Sequence, residues 1–207
     1  MENVTDRTSN PFGMSPPCGS FVPGYGDANA DFHVIGDHPG VHGGTESGVP
    51  FTSDSGLKLQ RALFEAGIVE SPGVRPTLGQ TFFSYLHFCV ADGTPTAASY
   101  TDLERFFDAE LRAIAAHVLL PVGERPTRHV LETFTPRSFA TTSMAELHAT
   151  EIRGSGFLVY PIREPAAWSD GDRATLISTL ESLQRHQYER QADLGRFLPT
   201  DTTYHVR

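Results

Sequence analysis

The chain has 207 residues and a formal net charge of −9, so one well-buried domain is the expected organisation. Lys58 is its only lysine, and the acidic surplus disfavours a large basic surface for nucleic acid, leaving room only for local contacts with DNA. No apolar run reaches the roughly 20 residues that cross a bilayer. The stretch from Met1 to Pro17 lacks the apolar core of a signal peptide, so we expect a cytoplasmic protein without membrane contacts.

In chain order, residues 1–24 are expected to form a loosely ordered arm, 25–195 a single domain, and 196–207 a tail. Apolar, β-prone runs alternate with segments that have helical spacing. The predicted strands are 32–35, 82–89, 117–123 and 156–161, and the predicted helices are 53–66, 101–116, a short one from 126, 144–148 and 172–190. This alternation predicts an α/β fold, namely a three-layer α/β/α sandwich with a central four-stranded, mostly parallel sheet.

The two cysteines, Cys18 and Cys89, are too few for a disulfide framework and form no CxxC pair. We therefore expect free thiols in a reducing compartment.

A polar, glycine-rich loop follows the first predicted strand, at the carboxyl end where open α/β sheets bind ligands. Asp37 in this loop could orient or deprotonate a water, or it could be a turn-forming residue that accepts backbone N–H groups. Together with His38 and His42 it could also bind a metal. Their spacing matches no standard ligand set, so no metal is expected.

For each of three further residues, the sequence allows two different roles. Phe51 could stack on a flat ligand such as a base, or act as a hydrophobic staple on the helix beside it. Glu164 could be an active-site acid across the sheet edge from Asp37, or form a local ion pair with Arg163. Trp168 could cap the core or form an exposed wedge.

These residues, in this order, resemble the uracil-DNA glycosylase superfamily, most closely the class that usually carries an iron–sulfur cluster. The likeness runs from about Gly24 to about Leu183. Five segments carry it: Val34-Ile-Gly-Asp-His-Pro-Gly40, Gly48-Val-Pro-Phe-Thr-Ser-Asp-Ser-Gly56, the strand ending in Cys89 with its Thr94-Pro-Thr96 turn, Val118-Leu-Leu-Pro-Val-Gly123 and Tyr160-Pro-Ile-Arg-Glu-Pro-Ala-Ala167. Each segment alone is weak, but five in order at the family's spacing are specific for the fold.

The resemblance implies a role for each matching position. Asp37 would orient the attacking water, and Phe51 would stack on the flipped base. Tyr85 stands where the family has a base-reading Asn, and Glu164 stands where it has a catalytic His, which His38 could replace. The resemblance also implies contacts with the base from Gly36, Pro39 and Gly40. It implies contacts with DNA from Arg163, Pro165 and Trp168.

The differences from the family pattern limit which properties of the family can be inferred for this chain. Cys18 and Cys89 align with two of the four cluster ligands, so no four-thiolate cluster, and no other cofactor, is expected. The first hypothesis is a divergent, monomeric glycosylase that hydrolyses the N-glycosidic bond of a deaminated base flipped out of single- or double-stranded DNA, in base-excision repair. The second is a non-catalytic relative that binds nucleic acid or a nucleotide. The third is a metal-dependent hydrolase built on Asp37, His38 and His42.

Overall fold

A computed structural model describes residues 15–114, 116–139 and 142–185. The six strands are β1 (Tyr25–Gly26), β2 (Phe32–Gly36), β3 (Thr81–Tyr85), β4 (Val118–Pro121), β5 (Ile152–Arg153) and β6 (Leu158–Val159). The α-helices are α1 (Pro39–His42), α2 (Asp54–Glu65), α3 (Ala97–Ile114), α4 (Glu124–Phe134), α5 (Met144–Leu147) and α6 (Asp170–Arg185), and a 3-10 turn covers Pro165–Ala167. In the described part of the chain, no helix has the length and apolar character that a bilayer crossing requires.

The strands form one sheet in the order β1-β3-β2-β4-β6-β5. Its four central strands are parallel, as predicted, and the additional strands β1 and β5 are two-residue antiparallel edges. The predicted four strands are therefore correct for the parallel core, and the sheet formed by the described residues has six.

Helices cover both faces of the sheet because successive strand residues point to opposite sides. Val34 and Leu120 face the layer that contains Leu59 of α2 and Leu176 of α6. Their neighbours Ile35 and Leu119 face the other layer, which holds Phe107 of α3, Leu131 of α4 and Leu147 of α5. The α/β/α sandwich is thus confirmed.

Side-chain caps determine the residue at which α2 and α3 begin. Of the two cap residues that the sequence allows, Ser53 and Asp54, Ser53 caps α2, and its hydroxyl accepts the Gly56 N–H at 3.2 Å. The predicted start of α3 at Thr101 is wrong, because Thr96 accepts the Ser99 N–H at 3.2 Å and the helix begins four residues earlier, at Ala97. Helix α4 likewise begins at Glu124 rather than Pro126.

A buried polar network lies between the sheet and α3. The His33 Nε2 atom on β2 is 2.7 Å from the Ser84 hydroxyl on β3, and Ser84 also bonds the Glu110 carboxyl from α3. Burial lowers the pKa of His33 to about 3 and raises the pKa of Glu110 to about 8. The Glu110 carboxyl is enclosed, although the residue as a whole remains partly exposed. Both groups are therefore uncharged at neutral pH.

The segment from residue 15 to 24 lies against the end of β3. Cys18 and Cys89 form a disulfide, Val22 donates its N–H to the Phe88 carbonyl at 2.8 Å, and the Val22 side chain is 2% exposed. The expectation of free thiols is wrong. Of the predicted arm, residues 1–14 fall outside the described residues, as do the predicted tail and the end of the last predicted helix.

The disulfide joins two cysteines that are 71 positions apart in sequence, so its loss should destabilise the fold. We expect the double variant Cys18→Ser/Cys89→Ser to lose about 2–4 kcal/mol in free energy of unfolding, measured by denaturant titration. As a control, unfolded wild-type protein without reductant should contain no titratable thiol. Two titratable thiols in that sample would contradict the disulfide.

Candidate active site

The loop after β2 places its polar residues at the carboxyl edge of the sheet. His38 caps the short helix α1, and its Nδ1 atom accepts the Gly40 N–H at 3.1 Å, while Pro39 occupies the first helical turn. Asp37 precedes this cap, between the end of β2 and α1, with a side chain that is 21% exposed. A carboxylate and an imidazole thus lie side by side at the predicted edge.

Side chains from α3 and α4 hold the Asp37 carboxylate. The Tyr100 hydroxyl of α3 donates to Asp37 Oδ1, and the Arg125 Nε atom of α4 lies 3.4 Å from the same oxygen. Arg125 also lies over the Tyr100 ring, 4.3 Å from its centroid. These partners are side chains rather than the backbone N–H groups that a turn-forming Asp accepts. Because both contacts use Oδ1, the Oδ2 atom is the one suited to orient a water.

Two histidines flank this carboxylate in neutral form. Burial lowers the pKa of His38; the charge of Asp37 opposes this effect, and the charges of the neighbouring His87, His42 and Arg125 add to it. Because His38 Nδ1 accepts a hydrogen bond, the proton of the neutral ring lies on Nε2. Burial likewise lowers the pKa of His87, whose Nδ1 atom lies 3.1 Å from the Cys89 carbonyl. The Tyr100 hydroxyl stays protonated because burial and Asp37 raise its pKa far above neutral.

The last loop reaches the first through His42. The His42 Nε2 atom lies 3.0 Å from Glu164 Oε2, and its Nδ1 atom accepts the Asp37 N–H at 3.3 Å. The other carboxylate oxygen, Glu164 Oε1, is buried and has no hydrogen-bond partner in the described part of the chain. Arg163 pairs with Asp172 at 3.2 Å, so the alternative of a local Arg163–Glu164 pair is wrong. Glu164 thus faces the site.

Phe51 and Tyr85 form a closed aromatic cluster beneath the loop. Both are essentially fully buried, with ring centroids 5.4 Å apart, and Phe51 also packs edge-on against Phe83. A Cβ at Gly36 would lie 2.6 Å from the Tyr85 ring and 2.8 Å from Phe51, so only glycine allows this approach. The stacking surface predicted at Phe51 is therefore covered in this conformation, and Tyr85 fills the space in front of Gly36.

Tyr85 also fixes the backbone around Phe51, whose φ of 62° is unusual for a residue with a side chain. The Tyr85 hydroxyl accepts the Phe51 N–H at 2.7 Å and donates to the Gly43 carbonyl at 2.9 Å, and Gln60 donates to the Phe51 carbonyl at 2.8 Å. Side chains hold both backbone groups of Phe51, which is what a strained conformation needs to persist.

Tyr85→Phe should therefore destabilise the protein by about 2–3 kcal/mol, because the buried Phe51 N–H and the partly buried Gly43 carbonyl both lose their partner. Thermal or denaturant unfolding measures the loss. The matched control is Tyr25→Phe, which removes one hydroxyl bond, to the Pro76 carbonyl, from a partly exposed site. Equal losses in both variants would contradict the bridging role of Tyr85.

The predicted DNA contacts of the last loop are mostly not at the surface. Trp168 is 8% exposed, and its indole N–H donates to the Arg163 carbonyl at 2.6 Å, so Trp168 caps the core and the exposed-wedge alternative is wrong. Pro165 is also buried. The Arg163 side chain is 37% exposed, although its ion pair with Asp172 neutralises part of its charge. Of the three, only Arg163 is placed to meet a phosphate without rearrangement.

The described residues do not fit a bound metal, and the cysteines of the chain do not fit a four-thiolate cluster. The chain has two cysteines, and these are bonded to each other. Both ring nitrogens of His42 are engaged by Asp37 and Glu164, which opposes the metal site considered at Asp37, His38 and His42. No cluster of three or more His, Cys, Asp or Glu side chains suited to a metal occurs within the described ranges.

Sequence reasoning missed three contributors to this site. Tyr100 and Arg125 lie on α3 and α4, where helical periodicity shows which face is apolar but does not show which polar residue reaches a distant loop. Gln60 is a fully buried polar residue on α2. Its position in the second turn of a helix that follows a Gly-Val-Pro-Phe segment was the only available signal.

Comparison with known proteins places the chain in a family. The sequence profile described as "Uracil DNA glycosylase superfamily" matches residues 23–184. The chain is 27% identical over 172 residues to a type-5 uracil-DNA glycosylase of Pyrobaculum aerophilum, an alignment covering 79% of this chain and 74% of that protein. It is 45% identical over 56 residues to the Thermus thermophilus type-5 enzyme, covering 27% of this chain and 26% of that protein. It is 31% identical over 126 residues to the Mycobacterium tuberculosis type-5 enzyme, covering 56% and 46%. The protein therefore belongs to the uracil-DNA glycosylase superfamily.

Proposed function

We propose that the protein is a divergent DNA glycosylase that hydrolyses the N-glycosidic bond of a deaminated base flipped out of DNA. The type-5 relatives are named for uracil-DNA glycosylase activity. The observation that carries the proposal is Asp37, a partly exposed carboxylate at the carboxyl end of β2 that Tyr100 and Arg125 hold through one oxygen. A carboxylate fixed in this way can orient a water toward the sugar carbon from which the base departs.

The leaving base gains negative charge, which needs hydrogen-bond donors beside it. His38 is suited to this task because its neutral ring carries the proton on Nε2 and its cap bond to Gly40 fixes the ring. Glu164 would repel charge on a base oxygen if ionised. Its buried Oε1 atom lacks a partner, however, and the ring N–H that uracil, hypoxanthine and xanthine share would provide one.

The closed cluster of Phe51 and Tyr85 sets a condition for this reaction. Tyr85 fills the space before Gly36, so a base can stack on Phe51 only after the aromatic cluster opens. This closure supports the second candidate function, a glycosylase-fold protein that binds nucleic acid or a nucleotide without cleaving it. The two functions differ in whether base release occurs.

The direct test is an abasic-site assay on single-stranded and duplex DNA that contains uracil, hypoxanthine or xanthine, at several salt concentrations. We expect release of at least one base, with a modest salt dependence because the acidic chain offers few cations for phosphate. DNA binding without release from any substrate would overturn the enzymatic function and leave the binding function.

A further inference from the structure

His42 lies at the centre of the site, and both of its ring nitrogens have partners. The residue is fully buried. The Asp37 N–H can only donate, so His42 Nδ1 accepts at 3.3 Å and the ring proton lies on Nε2. That proton is then directed at Glu164 Oε2, 3.0 Å away. The ring is a neutral bridge of fixed tautomer.

The bridge joins two loops that are far apart along the chain. Asp37 follows β2, and Glu164 follows β6, 122 residues after His42. The Asp37 side chain is held by Tyr100 and Arg125, while His42 holds the backbone of the same residue. The orientation of the Asp37 carboxylate therefore depends on anchors at both ends of that residue.

Packing leaves the His42 ring little freedom to move. Its centroid lies 5.1 Å from the Phe51 ring and 6.2 Å from the Tyr85 ring, with which it is stacked. The next residue, Gly43, has a φ of 90° and lies so close to the Ser53 backbone that a side chain would not fit. Its carbonyl also accepts the Tyr85 hydroxyl. A substitution at His42 should therefore displace the loop, because the surrounding residues have no room to adjust.

Resting on the proposed function, we propose that His42 is a positioning residue that sets the geometry between Asp37 and Glu164 for base release. It does not contact the reacting atoms, because both ring nitrogens are occupied by protein groups and the ring is fully buried. It acts through Asp37, whose displacement by about 1 Å would lower the rate of the chemical step on the order of 100-fold.

The chain contains a matched control for this role. His148 is also buried and also uses both ring nitrogens: Nδ1 accepts the Arg163 N–H at 3.0 Å, and Nε2 lies 2.8 Å from the Asp172 carbonyl. It bridges two segments as His42 does, but its hydrogen-bond partners are the Arg163 N–H and the Asp172 carbonyl rather than Asp37 and Glu164. Loss of a purely structural bridge should affect the two positions alike.

The test compares single-turnover base release and DNA binding in four variants. His42→Asn keeps an acceptor near the Asp37 N–H and loses the donor to Glu164, whereas His42→Gln does the reverse. We expect both to lower the single-turnover rate about 100-fold, with DNA affinity changed less than threefold, while His148→Gln lowers the rate less than threefold. Glu164→Ala breaks the bridge from its more accessible end, so the test does not depend on the folding of a His42 variant. It should lower the rate at least as much, because it also removes the proposed contact with the base, and adding His42→Asn to it should lower the rate less than threefold further.

Nitrogen-15 NMR of the His42 ring supplies a readout that is independent of activity. We expect a neutral ring protonated on Nε2, with a shift at Nε2 in Glu164→Ala. A ring protonated on Nδ1, equal rate losses in the His42 and His148 variants, or additive effects of His42→Asn and Glu164→Ala would overturn the positioning role alone. Absence of base release by the wild-type protein would overturn the proposed function, and the positioning role with it.

Discussion

Asp37→Asn should lower the single-turnover rate of base release by about 10²- to 10⁴-fold, the usual contribution of a positioned general base. The amide retains the shape of the side chain and can still accept the Tyr100 hydroxyl bond through its oxygen. It lacks the negative charge that polarises a water, and it no longer compensates Arg125. The loss should therefore appear in the chemical step, with DNA affinity maintained or slightly raised because one negative charge near the DNA is removed.

The matched control is Asp102→Asn, which removes the same charge from an exposed position on the helix that carries Tyr100. It should change the rate less than about threefold, as expected for a surface charge. Unchanged release by Asp37→Asn would mean that another group activates the water. If the wild-type protein binds but does not cleave, both variants should bind alike, and the non-catalytic function would be favoured.

The sequence indicated the position of this site because its first half is local. Asp37 and His38 directly follow a buried strand, and the carboxyl ends of parallel strands meet at one edge whatever the rest of the chain does. The α/β/α layering followed in the same way from strand–helix alternation. The resemblance to the glycosylase motifs further indicated which residues face each other across that edge.

The contacts that tune the site were not predictable, because they join residues far apart in sequence. The His42–Glu164 pair spans 122 residues and the Cys18–Cys89 disulfide 71, and no local pattern specifies either. For Phe51 the residue pattern allowed a stacking platform or a packing residue. The outcome depends on Tyr85 of β3, whose hydroxyl and ring enclose Phe51.

Glu110 should make the protein less stable as pH rises toward 8. Its folded pKa is raised to about 8 from an unfolded value of 4.5, chiefly by burial. Between these values the unfolded state has released the proton that the folded state still holds, so the free energy of unfolding falls with increasing pH and then levels off. The neighbouring His33 cannot offset this, because burial lowers its pKa to about 3 and it stays neutral.

Comparison of the wild-type protein with Glu110→Gln from about pH 6.5 to 8 isolates this effect. The buried histidines whose pKa values are lowered (His33, His38, His87 and His129) are still partly protonated near pH 6.5 in the unfolded state. They therefore raise stability as the pH rises to about 7.5, and this opposing contribution is the same in both proteins. At about 1.4 kcal/mol per pKa unit, Glu110 should reduce the free energy of unfolding by about 2 kcal/mol across the window. Denaturant titrations at several pH values measure this slope.

Glu110→Gln should remove the decrease in stability toward pH 8 and raise stability at pH 8 by up to about 4 kcal/mol, because the amide is neutral at every pH and can still bond Ser84. The control Glu104→Gln changes an exposed residue of the same helix and should leave the slope intact. A slope that persists in Glu110→Gln would assign the pH dependence to another group. A loss of stability at pH 8 in that variant would show that the ionised carboxylate, through Ser84, stabilises the interface between α3 and the sheet.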